Sequence, residues 1–321
     1  MPQKTIGVLT SGGDAPGMNA AVRAVVRSAL KHDYKVFGVY RGYNGLIKCE
    51  MVDMSIRMVS GIIHRGGTLL RTARCPEFTT EEGMQKAKEN CMDIGIECLV
   101  VIGGDGSFKG GRDIAERGIP VIGIPGTIDN DIQCTEYTIG FDSAMNTAME
   151  MIDKLRDTTQ SHYRCSVIEV MGRHAGHIAL HTGIACGASY IIIPEIKYEI
   201  GIIVEKIKLA QRLGRKHFIV LVAEGIGNVT EIAALLENAT GVESRATILG
   251  HVQRGGNPSV RDRVFASQMG YHAVKLIEEG KVNRVVGLQS NRVVDFDIHE
   301  ALSMKKEFDH ELYNIADEIA F

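Results

Sequence analysis

The amino-acid sequence predicts an α/β fold of the doubly wound, Rossmann-like type with mainly parallel sheets. Two observations support this prediction. Short apolar runs alternate along the chain with amphipathic stretches, and glycine-containing loops follow directly after the apolar runs. Glycine accounts for 36 of the 321 residues, against the ~7% usual in globular proteins. A chain of this length can bury a substantial core, and it has room for two domains or one large α/β unit.

The apolar runs are short and rich in β-branched residues, which predicts buried strands. They cover Thr5–Leu9, Val36–Tyr40, Cys98–Ile102, Val121–Ile124, Ser166–Val170, Tyr190–Ile193 and Phe218–Ala223. The stretches between them carry apolar residues at three- and four-residue spacing, which predicts helices packed on a parallel sheet. They cover Met18–His32, Glu81–Asp93, Ser143–Arg156, Ile202–Leu213 and Ser259–Glu279. This alternation allows a domain boundary near residues 139–142.

Bulk properties argue against several classes of protein. The net charge is -3 and no long basic run occurs, so the electrostatic footprint of a nucleic-acid binder is missing. No segment approaches the ~18 apolar residues of a membrane span, and the first residues lack the zones of a signal peptide. The seven cysteines are never in CxxC spacing, which argues against a disulfide framework and a zinc site. We therefore expect a cytoplasmic protein with reduced thiols.

In doubly wound sheets, ligands bind outside the carboxyl ends of the strands. Here those ends read SGGDAPG, GGDGS, PGTIDND, VMGR and AEG. The first loop, Thr10–Asp14, precedes a helix predicted to begin near Gly17, so its amides and the helix N-terminus could bind a phosphate. It matches neither the Walker A pattern nor GxGxxG. A tight turn between strand and helix is therefore an equally good interpretation.

Two further loops carry carboxylates. In GGDGS, Asp105 is flanked by glycines that would let it approach a metal–phosphate complex, and the alternative is an Asp that caps the next helix. In PGTIDND, Asp129 and Asp131 lie two residues apart. A kinase that acts on an alcohol needs a base, a metal carboxylate and cations for the transferring phosphoryl group. The two loops can supply the first two, and the candidate cations are Arg74, Arg164, Arg173, Arg245 and Arg254.

The remaining loops fit recognition of a phosphorylated sugar. GHVQRGG places His251 and Arg254 three residues apart among glycines, which suits binding of a phosphate ester. VMGR and AEG add Arg173 as a cation and Glu224 as a carboxylate for sugar hydroxyls. Taken singly, neither of these two segments is specific.

Taken together, the segments closely resemble the ATP-dependent 6-phosphofructokinases of the bacterial type, and the resemblance runs almost from end to end. It rests on TSGGDAPGMN at 10–19, RGGT at 65–68, GGDGS at 103–107, PGTIDND at 125–131, VMGR at 170–173 and GHVQRGG at 250–256. The resemblance implies two Rossmann-like domains of the phosphofructokinase fold. An ATP-binding domain would comprise residues 1–139 and about 252–305, and a fructose 6-phosphate-binding domain would comprise 140–251 and about 306–321.

The implied reaction is ATP-dependent phosphorylation of fructose 6-phosphate at its 1-hydroxyl, a committed step of glycolysis. Asp129 would be the base and Asp105 would hold Mg²⁺, with Thr127, Arg173 and Asp131 completing the catalytic set. The implied ATP-binding residues are Gly13, Arg74, Cys75, Gly104, Asp105, Gly106 and Ser107. The implied substrate-binding residues are Thr127, Ile128, Asp129, Arg164, Met171, Gly172, Arg173, Glu224, Arg245, His251, Val252, Gln253 and Arg254.

The resemblance also implies a homotetramer, in which Arg164 and Arg245 reach the active site of a neighbouring subunit. An effector site for ADP or phosphoenolpyruvate would use Arg23, Arg27, Arg156, Arg215, Lys216 and His217. Three positions depart from that pattern, because Ser189 replaces a common Glu, Leu213 a frequent Lys and Gly61 a common Asp. Loss of a carboxylate and a cation weakens recognition of a metal-bound diphosphate, so we expect blunted activation by ADP.

Alternatives remain at this stage. Pyrophosphate-dependent members of the family typically carry Asp at position 106 and Lys at position 126, where this chain has glycine. Glycine at 106 leaves room for the α-phosphate of ATP, which favours ATP as the donor. Another sugar phosphate could be the acceptor. A catalytically inactive nucleotide-sensing subunit is disfavoured, because Asp105, Thr127, Asp129 and Arg173 are all present.

Overall fold

The computed structural model describes residues 4–320, which divide into two compact units. The first contains the described residues up to Ser143 together with Arg254–Lys306, and the second contains Ala144–Gln253 and the described residues from Glu307. The changes of unit after Ser143, Gln253 and Lys306 lie within a few residues of the predicted domain boundaries. The predicted outer limits at 1 and 321, and the very start used to argue against a signal peptide, lie outside the described residues.

In the described part of the first unit, seven strands form one sheet in the order β11-β10-β5-β4-β1-β2-β3. The strands are β1 (Thr5–Thr10), β2 (Lys35–Val39), β3 (Met51–Asp53), β4 (Cys98–Gly103), β5 (Val121–Pro125), β10 (Arg284–Gln289) and β11 (Arg292–Asp297). The five central strands are parallel, and only the edge strands β3 and β11 pair antiparallel. The helices of this unit are α1 (Met18–Lys31), α2 (Tyr43–Ile47), α3 (Glu81–Ile94), α4 (Asp105–Ala115), α9 (Val260–Glu278) and α10 (Ile298–Ser303).

The described part of the second unit has a four-stranded parallel sheet in the order β7-β8-β6-β9. Its strands are β6 (Cys165–Val170), β7 (Tyr190–Ile192), β8 (Phe218–Ala223) and β9 (Ser244–Ile248). Its helices are α6 (His177–Ala185), α7 (Ile200–Arg212), α8 (Val229–Thr240) and α11 (His310–Glu318), while α5 (Phe141–His162) begins in the first unit and continues into the second. The core is aliphatic, with Val167, Val220 and Leu236 fully buried.

The predicted α/β class with mainly parallel sheets is confirmed, although strands β3, β9, β10 and β11 were not predicted. The helix predicted over Ser143–Arg156 extends over Phe141–His162. Helix α4 was not predicted, because DGSFKGGRDIA contains three glycines with poor helix propensity. It forms nonetheless, because Phe108 and Ile114 are buried on one face of it. No helix of residues 4–320 combines the length and apolar character needed to cross a membrane.

Candidate active site

The parallel register places three loops of the first unit side by side. Thr10 pairs with Ile102 across β1 and β4, and Gly103 pairs with Pro125 across β4 and β5. Two backbone hydrogen bonds continue the sheet into the loops, from Ser11 N–H to the Ile102 carbonyl and from Gly126 N–H to the Gly103 carbonyl, both at 2.9 Å. Because all three strands end at one edge, loops that lie far apart in sequence are neighbours there.

The first of these loops, Ser11–Gly17, depends on glycine. Gly12 has a φ of +86° and Gly17 a φ of +106°, a region that L side chains rarely adopt. A Cβ at Gly13 would lie 2.5 Å from an Arg254 guanidinium nitrogen. That guanidinium donates to the Asp14 carbonyl at 3.1 Å. Arg254, which the sequence assigned to the sugar phosphate, therefore lies against the first loop in this structure.

Asn19 fastens this region to the RGGT segment. Its amide nitrogen donates to the carbonyls of Arg65 and Gly66 at 3.0 and 3.2 Å, and its amide oxygen accepts from Leu69 N–H at 2.6 Å. The side chain is 4% exposed, so its hydrogen bonds are made away from bulk water. Sequence reasoning assigned Asn19 no role, although an asparagine on the apolar face of α1 is a signal that could have revealed it.

Asp105 begins α4, and its carboxylate is accessible. The N-cap is Gly104, and no side chain caps the helix, so the interpretation of Asp105 as a helix cap is wrong. One carboxylate oxygen lies 2.8 Å from Lys109 Nζ, and the Asp105 side chain is 42% exposed. No atom lies within 4 Å of a Cβ built on Gly106. Open space and the positive end of α4 together favour an anionic ligand at this point.

The PGTIDND loop (residues 125–131) is rigidly held. Thr138 donates to the Thr127 carbonyl at 2.6 Å, and Thr127 Oγ1 accepts from Asp129 N–H at 3.2 Å. Asn130 has a φ of +53°, and its side-chain amide donates to the Glu136 carbonyl at 3.2 Å. Asp129 is 5% exposed and Ile128 is fully buried. Of the predicted substrate contacts in this loop, Ile128 can therefore offer only its backbone.

Arg74 and Cys75 precede a short 3-10 helix, Pro76–Thr79. Arg74 is exposed, whereas Cys75 is half-buried and packs against the cluster that contains Tyr43 and Phe78. Ser107 is 5% exposed. Its carbonyl accepts from the Tyr43 hydroxyl at 2.5 Å. Arg74 is thus free to meet a ligand, while Cys75 and Ser107 mainly shape the wall behind it.

A divalent cation fits this donor set only with help from a ligand. Within residues 4–320, no three or more His, Cys, Asp or Glu side chains converge as a metal site. Mg²⁺ usually binds one or two carboxylates and completes its octahedron with water and substrate phosphates. The accessible carboxylate of Asp105 suits that mode of binding. A metal site built entirely from protein ligands would not need an accessible carboxylate.

In the second unit, strands β6 and β8 place two loops together. Glu224 N–H donates to the Val170 carbonyl at 2.9 Å, and Glu224 Oε1 accepts from Arg173 N–H at 2.8 Å. Arg173 has a φ of +58° and Gly172 a φ of +145°. The carboxylate therefore holds Arg173 in a left-handed conformation that costs about 1 kcal/mol or more for an L residue.

The 3-10 turn Gly250–Arg254 contains residues of two kinds. His251 and Val252 are exposed. Gln253 is fully buried, and its side chain accepts from Met171 N–H at 3.3 Å and donates to the Gly250 carbonyl at 3.2 Å. The Gln253 side chain therefore orients the loop that carries Met171 and is not itself placed to meet a ligand.

Glu243 joins the two arginines predicted to act on a neighbouring subunit. Its carboxylate oxygens lie 2.8 Å from Arg164 Nε and 2.5 Å from an Arg245 guanidinium nitrogen. The neighbouring guanidinium of Arg164, followed by that of Arg245, lowers the pKa of Glu243. Sequence reasoning missed Glu243, although its place two residues before Arg245, directly before β9, was a usable signal.

The predicted effector residues of the second unit form a cationic cluster. Arg215 donates to the Ala320 carbonyl at 2.8 Å. Burial and the neighbouring charge of Arg156 lower the pKa of Arg215, and burial together with Arg215 and Arg156 lowers the pKa of His217. Lys216 lies over the Tyr163 ring at 4.8 Å. In the first unit, Arg23 is half-buried and Arg27 exposed on α1.

The three positions that depart from the effector pattern differ in setting. Ser189 is 1% exposed, and its hydroxyl accepts from Ile219 N–H at 3.3 Å. Leu213 is 79% exposed. Gly61 has a φ of +70° with no atom within 4 Å of a Cβ. Ser189 is therefore built into the sheet, whereas Leu213 and Gly61 lie open to solvent.

Comparison with known proteins identifies the family. The family model described as Phosphofructokinase matches residues 5–277. The chain belongs to the phosphofructokinase family. It is 55% identical over 313 residues to the ATP-dependent 6-phosphofructokinase of Clostridium botulinum, covering 98% of each protein.

Solved phosphofructokinase structures share the fold. The enzyme from Saccharomyces cerevisiae superposes with a TM-score of 0.89 at 35% identity, covering 99% of this chain but 48% of the yeast chain. The chain thus spans about half the length of that structure. A pyrophosphate-dependent phosphofructokinase from Marinobacter aquaeolei superposes with a TM-score of 0.84 at 23% identity, covering 96% of this chain and 86% of that one. This second likeness shows a shared fold.

Proposed function

We propose that the chain transfers the γ-phosphoryl group of ATP to the 1-hydroxyl of fructose 6-phosphate, giving fructose 1,6-bisphosphate and ADP in glycolysis. One observation supports the proposal most directly. The parallel register brings the Ser11–Gly17 loop, the Asp105 loop and the PGTIDND loop to one edge of the sheet. The Asp129 side chain in the last of these loops is 5% exposed. The name of the 55% identical relative agrees with this reaction.

In this proposal, the first unit binds the phosphoryl donor ATP. Backbone amides of the first loop and of Gly104–Ser107 would bind the phosphates of ATP, with Arg74 as a flanking cation. Asp105 would hold Mg²⁺, which would neutralise charge on the phosphates when bound. Its ion pair with Lys109 at 2.8 Å is exposed and contributes at most about 0.5 kcal/mol. The lysine therefore presents little barrier to the metal.

Asp129 would accept the proton of the sugar 1-hydroxyl. Its burial and the rigid loop around it restrict its motion, which is what a positioned general base requires. Thr127, beside it in the same loop, would contact the transferring group. Asp131 is half-buried in the same segment and would support the electrostatics of the base.

The acceptor side draws on the second unit. Arg173, held by Glu224, would stabilise charge on the transferring phosphoryl group. Met171, Gly172 and Glu224 would contact the sugar, while His251 and Val252 present their side chains to solvent at the 3-10 turn. In a homotetramer, Arg164 and Arg245 would bind the 6-phosphate of the fructose 6-phosphate held by a neighbouring subunit. Arg254 would be a further ligand of this phosphate.

Two glycines support ATP over pyrophosphate as the donor, and the structure separates their roles. Gly106, the second residue of α4, has open space around a Cβ, so a larger residue would fit there and obstruct only a ligand. A Cβ on Gly126 would lie 3.1 Å from Met18 Cε and 3.2 Å from Ile102 Cγ2. A larger residue at 126 would require these two side chains to shift slightly, so packing as well as the choice of donor would favour glycine there.

A direct test measures fructose 1,6-bisphosphate formation from fructose 6-phosphate with Mg-ATP. We expect wild-type turnover, a 10²–10⁴-fold lower kcat for Asp129→Asn because the base is lost, and unchanged kcat for the control Asp113→Asn on α4. Replacing ATP by pyrophosphate should give much slower turnover. Comparable rates for wild type and Asp129→Asn would remove this base from the mechanism, and faster turnover with pyrophosphate would reverse the choice of donor.

Regulation is part of the same proposal. The cluster of Arg156, Arg215 and His217, with Lys216 beside it and Arg23 and Arg27 on α1, would bind a phosphorylated effector such as ADP or phosphoenolpyruvate. Ser189 supplies no carboxylate for the magnesium of a nucleotide, so phosphoenolpyruvate should act more strongly than ADP. Strong activation by ADP at subsaturating fructose 6-phosphate would contradict this expectation.

We also expect the enzyme to act in the cytoplasm.

A further inference from the structure

The segment that follows α10 binds the backbone of the PGTIDND loop. Lys306 Nζ donates to the carbonyl of Asn130 at 2.8 Å. The backbone N–H of Lys306 donates to Gln133 Oε1, and Gln133 Nε2 donates to the carbonyl of Asp131 at 3.1 Å. The carbonyls of the two residues directly after Asp129 are thus bound through Lys306, one directly and one through Gln133.

Asn130 is the residue that most needs such support. It has a φ of +53°, and this left-handed conformation directs the chain from Asp129 into Asp131. A short side chain tolerates it, but surrounding contacts must still offset the conformational cost. The Asn130 carbonyl is where Lys306 binds, so the lysine acts on the backbone turn that orients the proposed base.

The ammonium also sits in an acidic environment. Burial lowers the pKa of Lys306 to about 8, while Asp131, Cys134 and Glu136 favour its charged form. Near neutral pH the group is therefore mainly a cation close to Asp131. A long, flexible side chain also loses rotamer freedom when it is held in one place. A lysine serving only solubility would not be placed here.

We propose that Lys306 is a positioning residue for the phosphoryl-transfer reaction, which fixes the Asn130–Asp131 turn and thereby orients Asp129 toward the acceptor hydroxyl. The inference rests on the proposed function. It concerns a residue outside every motif of the sequence, contributed by the last position of the first unit. Lys306 touches neither reacting atom, and its effect on the reaction passes through the loop.

The proposal can be tested with Lys306→Met, Lys306→Arg and a matched control, Lys305→Met, at the exposed neighbouring position. For Lys306→Met we expect a kcat lower by on the order of tenfold with both KM values within about twofold, because a slight misplacement of the base costs rate more than binding. Lys306→Arg, which keeps a charged donor, should recover part of the loss. Lys305→Met should match wild type.

The pH profile separates positioning from a merely structural role. Loss of the ammonium removes a cation that lies near Asp131, so the acidic limb of the kcat profile of Lys306→Met should move to higher pH. If Lys306→Met does not fold, Gln133→Met keeps the lysine, releases the Asp131 carbonyl and should lower kcat without raising KM.

Each outcome decides the question. Wild-type kcat and an unmoved acidic limb in Lys306→Met would overturn the inference, even if the variant were less stable. If Gln133→Met is the variant used, unchanged kcat would overturn it equally. Failure of the wild-type enzyme to phosphorylate fructose 6-phosphate would instead overturn the proposed function itself, so the two failures are distinguishable.

Discussion

Asp262 accepts two hydrogen bonds from Ser143, one from its backbone N–H at 2.9 Å and one from its hydroxyl at 2.5 Å. The same fully buried carboxylate accepts from the Tyr137 hydroxyl at 2.5 Å and from Gly140 N–H at 2.7 Å. Burial raises the pKa of Asp262, and the hydrogen bonds oppose this rise. One side chain at the start of α9 thus holds the segment from the PGTIDND loop to the first turn of α5.

Replacing Asp262 by Asn should destabilise the enzyme strongly. Asn offers one oxygen for four donors and turns an NH₂ group toward two of them, so we expect the free energy of unfolding to fall by about 3 kcal/mol. Tyr137→Phe removes a single donor and should cost about 1 kcal/mol. Urea denaturation measures both changes. Equal stability of Asp262→Asn and wild type would contradict the importance of this carboxylate.

Replacing Gly106 by Asp should impair use of ATP without harming the fold. The position lies in the first turn of α4 with open space around a Cβ, where a carboxylate is favoured by the helix dipole. It should repel the nucleotide phosphates and raise KM for ATP at least about tenfold, or ~1.4 kcal/mol.

Gly201→Asp is the matched control for this change, since Gly201 is also the second residue of a helix and also has open space around a Cβ. Thermal unfolding should be similar for both variants, and KM for ATP should change only in Gly106→Asp. An unchanged KM in Gly106→Asp would show that the glycine does not select the donor.

The stability contributed by Lys306 should depend on pH. Its pKa is lowered from 10.5 to about 8 in the folded protein, so between these values the unfolded chain binds more protons than the folded one. Stability therefore rises with pH through this window, and the cost of burying the ammonium returns below about pH 8.

The measurement compares free energies of unfolding of wild type and Lys306→Met from pH 7 to 10.5. The difference, wild type minus variant, should increase with pH, because titrations shared by both proteins cancel. A flat difference would show that the lysine is no less protonated in the folded protein than in the unfolded chain.

Binding of a phosphorylated effector should take up a proton at His217. Burial and the charges of Arg215 and Arg156 lower the pKa of this imidazole, and a bound anion would offset those charges and raise it. The affinity for phosphoenolpyruvate should therefore gain a component that strengthens as the pH falls. Inhibition curves from pH 8 to 6 should show this component in wild type and lose it in His217→Gln. Identical pH dependence in both would place the effector elsewhere.

The sequence alone was sufficient for the class of fold and for the main loops. Strand periodicity and the glycine-rich turns after β1, β4 and β5 are local signals, because each depends on residues within one short segment. They located Asp105 and Asp129 at strand ends, and the fold confirms those positions. Helix α4 was not predicted, because its three glycines have poor helix propensity and the burial of one of its faces is known only from the packing on the sheet.

Tertiary structure decided which partners orient those residues. Asn19 with Arg65, Ser143 with Asp262, and Asn130 with Lys306 are separated by 46, 119 and 176 positions in the chain. A hydrogen bond over such a separation leaves no periodic trace in the sequence, because it depends on where whole strands and helices pack. The sequence by itself determined which chemical groups the loops carry. Only the folded chain determined that Gln253 is buried, that Arg254 lies against Gly13, and that Lys306 supports the turn beside Asp129.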